Sequence, residues 1–243
     1  LQAQSQFTGR FMGYNTAYLL PEKKWESGIR QPLRVGLSQK AEIYSTVLAL
    51  PLTPNAGIKI AWGELGGFRF ATAHSLSVPS PVLNMLSRNG IGGFISPEFT
   101  FPFILSINNS VLASRPLCYS ALLTIKAEFL FALRGGEIDP QSTIDLPIMY
   151  PRMAHYYKGT SVRLAANVRA PICHKAGVEE GVEVFMITRS GNNFFAENTG
   201  YVYWKMCKKM RLKAGYNLSY GSYPFGNHWQ LWPSVDLLLG NLR

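Results

Sequence analysis

The chain has little charge and almost no helical pattern. Only 16% of its 243 residues are charged, while 47% are hydrophobic. That falls below the usual quarter of charged residues and excludes a disordered chain, since ample apolar surface is available to bury. No apolar run suits a spanning helix, which needs about 20 mostly apolar residues. The best stretch, residues 117–133, carries Lys126 and Glu128 well inside it. A helical membrane protein is therefore excluded. Three cysteines make no disulfide framework, and none sits in a C-x-x-C pair, so no metal site is expected. The chain has no Gly-x-Ser-x-Gly elbow. Gly90-Ile91-Gly92-Gly93 lacks the Lys-Ser/Thr and the following helix of a phosphate cradle. No internal repeat or low-complexity tract appears.

What the chain does have is basic charge, aromatics and alternation. Lys and Arg outnumber Asp and Glu 24 to 14, a net charge of +10, and aromatics reach 13%. Such basicity suits a nucleic acid or an anionic membrane surface. The cations are spread over nearly every segment instead of forming a stripe with stacking aromatics, which argues against nucleic acid. Lys23, Lys24, Arg152 and Lys158 fall in or beside loops, where they meet lipopolysaccharide phosphates or are simply solvated. Leu1-Gln2-Ala3-Gln4 reads like the end of a secretory signal peptide, an arbitrary boundary being the alternative. Residues 1–9 are thus expected to be a tail and 10–243 a single domain.

Period two runs through the chain. In residues 210–221, Met210, Leu212, Ala214, Tyr216, Leu218 and Tyr220 alternate with Arg211, Lys213, Gly215, Asn217, Ser219 and Gly221. Residues 162–170 and 123–131 repeat the pattern. A strand sends alternate side chains to opposite faces, so these segments have one apolar and one polar face. A soluble barrel buries the apolar face; a membrane barrel buries the polar one. Segments of roughly 9–13 residues match a bilayer crossing and exceed the usual 5–6 of soluble strands. Aromatics near segment ends (Trp62, Tyr201, Trp204, Tyr216, Tyr220, Trp229) suit interfacial girdles. The membrane barrel is preferred, a soluble sandwich or barrel being the alternative.

The expected strands are 10–20, 31–38, 41–51, 56–63, 67–78, 93–105, 117–133, 158–170, 180–190, 194–206, 209–221 and 228–240. An even count leaves both termini on one side. Tight links at Gln39-Lys40 and Cys207-Lys208 are expected to be periplasmic, and the long links near 79–92 and 134–157 to be outer. Strict alternation from the first strand does not put every link on its expected side, and Gly191-Asn192-Asn193 is also short. Within the first long link, Val82-Leu83-Asn84-Met85-Leu86 forms either a short amphipathic helix or an ordinary surface loop.

Residues Thr16 to Leu20, Trp25-Glu26-Ser27-Gly28 and Gln31-Pro32-Leu33-Arg34-Val35-Gly36-Leu37-Ser38-Gln39-Lys40-Ala41-Glu42-Ile43 carry a resemblance. They resemble the opening hairpins of outer-membrane β-barrel proteins of Bacteroidota-type bacteria. The Leu-Arg-x-Gly-Leu-Ser core before a tight turn and a Glu is also similar to barrels grouped with phenol-pathway transporters. The resemblance covers about the first fifth of the chain and implies a scaffold, not an activity. It carries over no catalytic or binding residue.

Alternation places Arg34, Lys59, Arg69, Lys126, Arg163, Arg169, Lys205, Arg211 and Lys213 in the lumen, against Glu42, Glu98, Glu128, Glu183 and Asp236. A cationic lining favours anions; the alternative is a network of buried ion pairs closing a narrow barrel. His74, His155, His174 and His228, with Ser75, Ser120, Ser219 and Ser222, show no spacing that pairs a nucleophile with a base. No enzyme is expected, and no cofactor or metal. Cys118 and Cys173 fall at the ends of neighbouring strands and can form a disulfide.

The expected protein is thus an all-β, closed antiparallel transmembrane barrel of about 12 strands, 10 being the alternative, in a bacterial outer membrane. Its expected role is a narrow net-cationic pore for passive passage of small anionic or polar solutes. The second role is a non-conducting accessory subunit of a larger secretion, assembly or nutrient-import complex. Lipid and lipopolysaccharide are the expected partners of both, other envelope proteins of the second, and nucleic acid of neither.

Overall fold

The computed structural model describes residues 13–241 except 90, 92–93, 118–120, 145, 189–193, 208 and 224–225. Twelve strands close into one antiparallel barrel in sequence order. They are β1 Trp25–Gly28, β2 Leu33–Gly36, β3 Ala41–Ser45, β4 Asn55–Leu65, β5 Phe68–Ser77, β6 Ile104–Pro116, β7 Leu122–Arg134, β8 Thr160–Pro171, β9 Ala176–Ile187, β10 Phe194–Lys205, β11 Met210–Tyr223 and β12 Gly226–Gly240. Two helices interrupt them, α1 Ser80–Leu86 and α2 Tyr150–Lys158, with a 3-10 turn at Val47–Ala49. No helix among the described residues is long and apolar enough to cross a membrane.

The alternation decides the faces. On β7, Ile125, Phe129 and Leu133 are exposed on the outside, while Thr124 and Lys126 are buried within. On β8 and β11, Leu164, Val168, Leu212 and Tyr216 likewise look outward, and Ser161, Lys213 and Asn217 inward. The barrel is therefore apolar outside and polar inside, the reverse of a soluble barrel. Trp62, Trp204 and Trp229 stand on the outer face as expected. Tyr201 does not: its hydroxyl accepts a hydrogen bond from the inward Ser234.

The sequence-based count is right, but two of its strands are wrong. Residues 13–24, expected to lie in the first strand and the link after it, form none; β1 starts at Trp25 instead. The expected strand 93–105 is largely loop, and 106–116, expected as a link, is the body of β6. With these corrections the sides separate cleanly. The chain passes from β2 to β3, β4 to β5, β6 to β7, β8 to β9 and β10 to β11 on the side where β1 starts and β12 ends, here the turn side. The chain passes from β1 to β2, β3 to β4, β5 to β6, β7 to β8, β9 to β10 and β11 to β12 on the opposite, loop side. The two longest links fall together there, as the sequence suggests.

The wall is uneven in height. One circuit of the register displaces the chain by about 14 residues, which for twelve strands means a tilt of about 40°. Each residue then adds about 2.5 Å of height. Strands β6–β12 have 12 to 15 residues and raise about 30 Å of wall or more. Strands β1–β3, with 4 or 5 residues, raise about 10–12 Å.

Both helices pack at the loop-side mouth. Pro81 and Pro151 occupy their first turns, where a missing N–H costs nothing. Helix α1 buries Leu83 against Ile95, Phe101, Ile104, Ala132, Ile138 and Ile144. Its Asn84 accepts from the Phe101 N–H and donates to the Phe101 carbonyl, both at 2.9 Å, which holds residues 99–103 in an extended path outside the sheet. Val82 to Leu86 therefore belong to a helix, not to an irregular loop. Helix α2 ends at Gly159, whose φ of 88° is unfavourable for residues with a Cβ. It rests Ala154 on Phe185, Ile187, Phe195 and Tyr223.

Candidate functional site

The residues expected to form a first strand instead cross the lumen as an internal segment. Thr16, Ala17, Tyr18, Leu19 and Leu20 are all buried. Small and charged wall residues hold the segment. Lys59 Nζ donates to the carbonyls of Tyr14 (2.8 Å) and Thr16 (3.0 Å). The Ala17 N–H donates to Ser114 Oγ, and the Leu20 N–H to Glu42 Oε2, both at 2.8 Å. Tyr14 packs edge-on against Tyr44, with ring centroids 5.2 Å apart. Gly36 makes room: a Cβ there would lie 2.2 Å from the Pro21 carbonyl oxygen.

Around this segment the inward charges pair off in three networks. In the first, Glu26 receives Arg34 (3.3 Å) and Arg211 (3.7 Å), while Glu42 receives Arg34 (2.8 Å) and Lys59 (3.2 Å). In the second, Glu128 takes Lys126 (3.1 Å) and Arg163 (3.3 Å), and Glu183 takes Arg163 (3.4 Å) and Arg152 (3.6 Å). Arg152 reaches down from α2 and closes this network on Glu197. In the third, Glu179 holds Arg169 (2.5 Å) and Lys213 (3.1 Å), with Asp236 opposite Lys213 on β12. Charges removed from water must find partners, and these do.

The structure turns most of the expected lumen residues inward and adds carboxylates to them. Arg34, Lys59, Lys126, Arg163, Arg169, Arg211, Lys213, Glu42, Glu128, Glu183 and Asp236 face inward. Arg69 faces inward near the turn-side rim, over the Tyr18 ring and beside Glu64. Lys205 has the inward parity but ends β10 at the rim, exposed to solvent. Glu98 lies exposed in the loop before β6, because residues 93–103 do not enter the sheet. Glu26, Glu179, Glu197 and Arg152 were missed. Glu197 shares its parity with Lys205, so alternation alone could place it; Glu26 and Glu179 fall outside the strand bounds expected from the sequence. The three networks hold eight cations and six carboxylates, with Asp236 as a seventh, in place of an excess of four cations.

On the loop side a vestibule of about 550 Å³ opens above the internal segment. Tyr14 and Asn15 form part of its floor, and Arg163, Glu183, Glu179 and Lys213 lie in its wall. Arg30, Arg152 and Asp236 line it too, with neutral polar groups that include Asn55, Asn108, Thr199, Tyr201 and Asn217. Two buried lining acceptors, Asn217 Oδ1 and Asp236 Oδ2, have no hydrogen-bond partner among the described residues.

A serine–histidine contact is present, though with a serine that was not singled out from the sequence. Ser106 Oγ lies 2.8 Å from His155 Nε2. Both residues are buried where α2 meets β6, and His155 Nδ1 has no partner among the described residues. Burial holds the His155 imidazole down at about 4, so it is neutral at physiological pH. A nucleophile needs an exposed oxygen and a base oriented by a third group, and this pair offers neither; it packs α2 onto β6. His74 makes its contact on the outer face, with Asn109 at 2.7 Å. No group of three or more metal-binding side chains occurs among the described residues. Cys173 is an exposed cysteine in the β8–β9 link; Cys118, its partner in the expected disulfide, lies outside the described residues. Residues 1–9 and much of Gly90-Ile91-Gly92-Gly93 also lie outside them.

No family model matches the chain, and no curated protein matches it. Among solved structures it is similar to a bacterial polysaccharide outer membrane secretin, at 7% identity and a TM-score of 0.49, over 87% of this chain and 69% of that one. It is also similar to the outer membrane channel DcaP of Acinetobacter baumannii, at 9% identity and a TM-score of 0.42, over 86% of this chain and 62% of that one.

Proposed function

We propose that the chain is an outer-membrane barrel that admits a small polar solute to its loop-side vestibule and passes it when residues 13–21 shift. The apolar exterior calls for lipid, and the short links then mark the periplasmic side. The observation that carries this reading is the vestibule itself, a polar chamber that ends on a segment held by hydrogen bonds. Because nearly every lumen charge is paired, the lining favours neutral or zwitterionic solutes over anions. A barrel closed by its own segment also suits the second reading, a silent subunit of a larger envelope complex.

Planar-bilayer recording separates the two. The native barrel is expected to open rarely, and deletion of residues 13–20 to give a steady conductance with weak ion preference. Arg163→Gln in that background exposes Glu128 and Glu183, and the current should turn cation-selective. If the deletion variant folds and stays silent, passage through the lumen is wrong and the silent subunit stands.

A further inference from the structure

The low wall at β1–β3 leaves one edge of β12 without a partner strand over most of its length among the described residues. β1 pairs only with Leu238, Leu239 and Gly240. Among the described residues, no strand pairs with 226–237 on the side away from β11. A sheet edge facing hydrocarbon is very costly unless its N–H and C=O groups meet protein or line a wet cavity. Here a wet cavity is at hand, because the vestibule wall includes Gln31, Ser234 and Asp236, which come from both sides of the gap.

Link 46–54 stands where strands are missing and is built for a lipid boundary. Leu48, Leu50 and Leu52 are exposed, while Thr46, Ala49 and Thr53 line the vestibule. Its backbone is satisfied locally. Asn55 accepts from the Thr46 N–H and donates to the Thr53 carbonyl at 2.7 Å, and the Leu50 and Thr53 N–H groups bond within the turn. At the foot of the gap Arg30 bridges the sides, its N–H donating to Asp236 Oδ1 at 3.0 Å and its guanidinium to Ser234 Oγ. β12 presents Val235 outward at that latch, and Trp229 and Leu231 above it, all well exposed.

We propose that this gap is a lateral portal through which a small amphiphile, a hydroxyl or amine head on a short apolar tail, passes between bilayer and vestibule. The inference rests on the outer-membrane reading and adds a route and a ligand class. The apolar rim takes the tail. The polar lining, Asn55, Asn108, Thr199 and Tyr201 among it, takes the donor head in a chamber of ordinary small-molecule size.

The test uses the full chain in phosphatidylcholine nanodiscs with the photoreactive alkanol 3-azi-octanol, and peptide mass spectrometry to map adducts. Adducts are expected on lumen residues such as Tyr201 and Asn217 as well as on the outer face, with excess octanol displacing the inner ones. Gln31→Trp, a change in a link, should cut the inner adducts at least tenfold and leave the outer ones unchanged. Labelling confined to the outer face, or inner labelling indifferent to Gln31→Trp, overturns the portal. Amide exchange on β12 gives an independent arm. Fast exchange at alternate residues of 226–237 supports a wet edge; protection throughout means that a strand covers it, from a second copy or from residues 1–12, and overturns the proposal. Conductance of the residue 13–20 deletion is read separately, so failure of the portal and failure of the channel are distinguishable.

Discussion

Lys59→Met tests the closed lumen most directly. Lys59 is fully buried on β4 and donates at 2.8 and 3.0 Å to the carbonyls of Tyr14 and Thr16. Methionine keeps the volume and removes the charge. Glu42 is not stranded, because Arg34 donates to both its oxygens and the Leu20 N–H reaches Oε2. The loss is therefore concentrated on the internal segment. Hydrogen bonds from a charged donor are worth about 1.5–3 kcal/mol each, and freed carbonyls can turn to water as the segment lifts. Taking the low end, about 3 kcal/mol of hold disappears, which raises the lifted population about a hundredfold at roughly 1.4 kcal/mol per tenfold. Single-channel recording should show openings about a hundred times more frequent, with unit conductance equal to that of the residue 13–20 deletion. A folded variant that opens no more often than the native barrel would refute the role given to Lys59, whatever happens to its melting temperature.

Gly36→Ala should act in the same direction by steric means, since its Cβ would meet two backbone oxygens of the segment, at 2.2 and 2.6 Å; unchanged opening frequency counts against this contact. His155 sits at about 4 in the fold against about 6.5 when α2 is undocked. The undocked state therefore binds the extra proton between these values, and docking is at full strength above pH 6.5 and weakens as pH falls toward 4. The loss at pH 4.5 is about 2–3 kcal/mol, read as faster amide exchange in α2 after correction for intrinsic rates, and His155→Gln should remove most of that pH dependence. Cys173 and Cys207 lie exposed in turn-side links. A 5 kDa-class maleimide polymer (about that size, too large for a narrow lumen) should label them in lysed cells only; labelling of intact cells would invert the orientation.

The strands that were legible from the sequence are those with one face in lipid and one in the charge networks. In 162–170 and 210–221 both constraints repeat every second residue, so alternation is strict. It fails where a segment serves something other than the wall. Residues 13–20 carry Thr, Ala, Tyr and Leu without alternation because they touch lumen groups on several sides. Phe99, Phe101 and Phe103 alternate as a strand would, yet Phe101 is tied to Asn84 of α1 and packs beneath it, and Pro102 can donate nothing to a ladder. β6 hides for the opposite reason. Its inner face is Ser106, Asn108, Ser110 and Ser114, small polar groups that fit against α2 and the internal segment and read as a loop. Charge signs and facing can be read along a strand, but ion-pair partners come from register, which depends on where each strand begins. Placing the first strand at 10–20 removes Glu26 from the wall, and starting β9 at 180 removes Glu179. Without those carboxylates the lumen looks cationic.

Three residue pairs, Glu26 with Gly240, Ser27 with Leu239 and Gly28 with Leu238, form the seam where the cylinder meets itself. Every other junction joins neighbours in sequence, so each can zip from its own hairpin, whereas the seam must wait for both extremes of the domain. Its brevity makes ring closure the entropically dearest step of assembly, with the least new pairing to reward it. The salt link from Arg211 to Glu26 crosses this same junction region. The last-formed joint is thereby fastened by electrostatics from within the bore, and weakening that fastening should slow maturation more than it alters the finished cylinder.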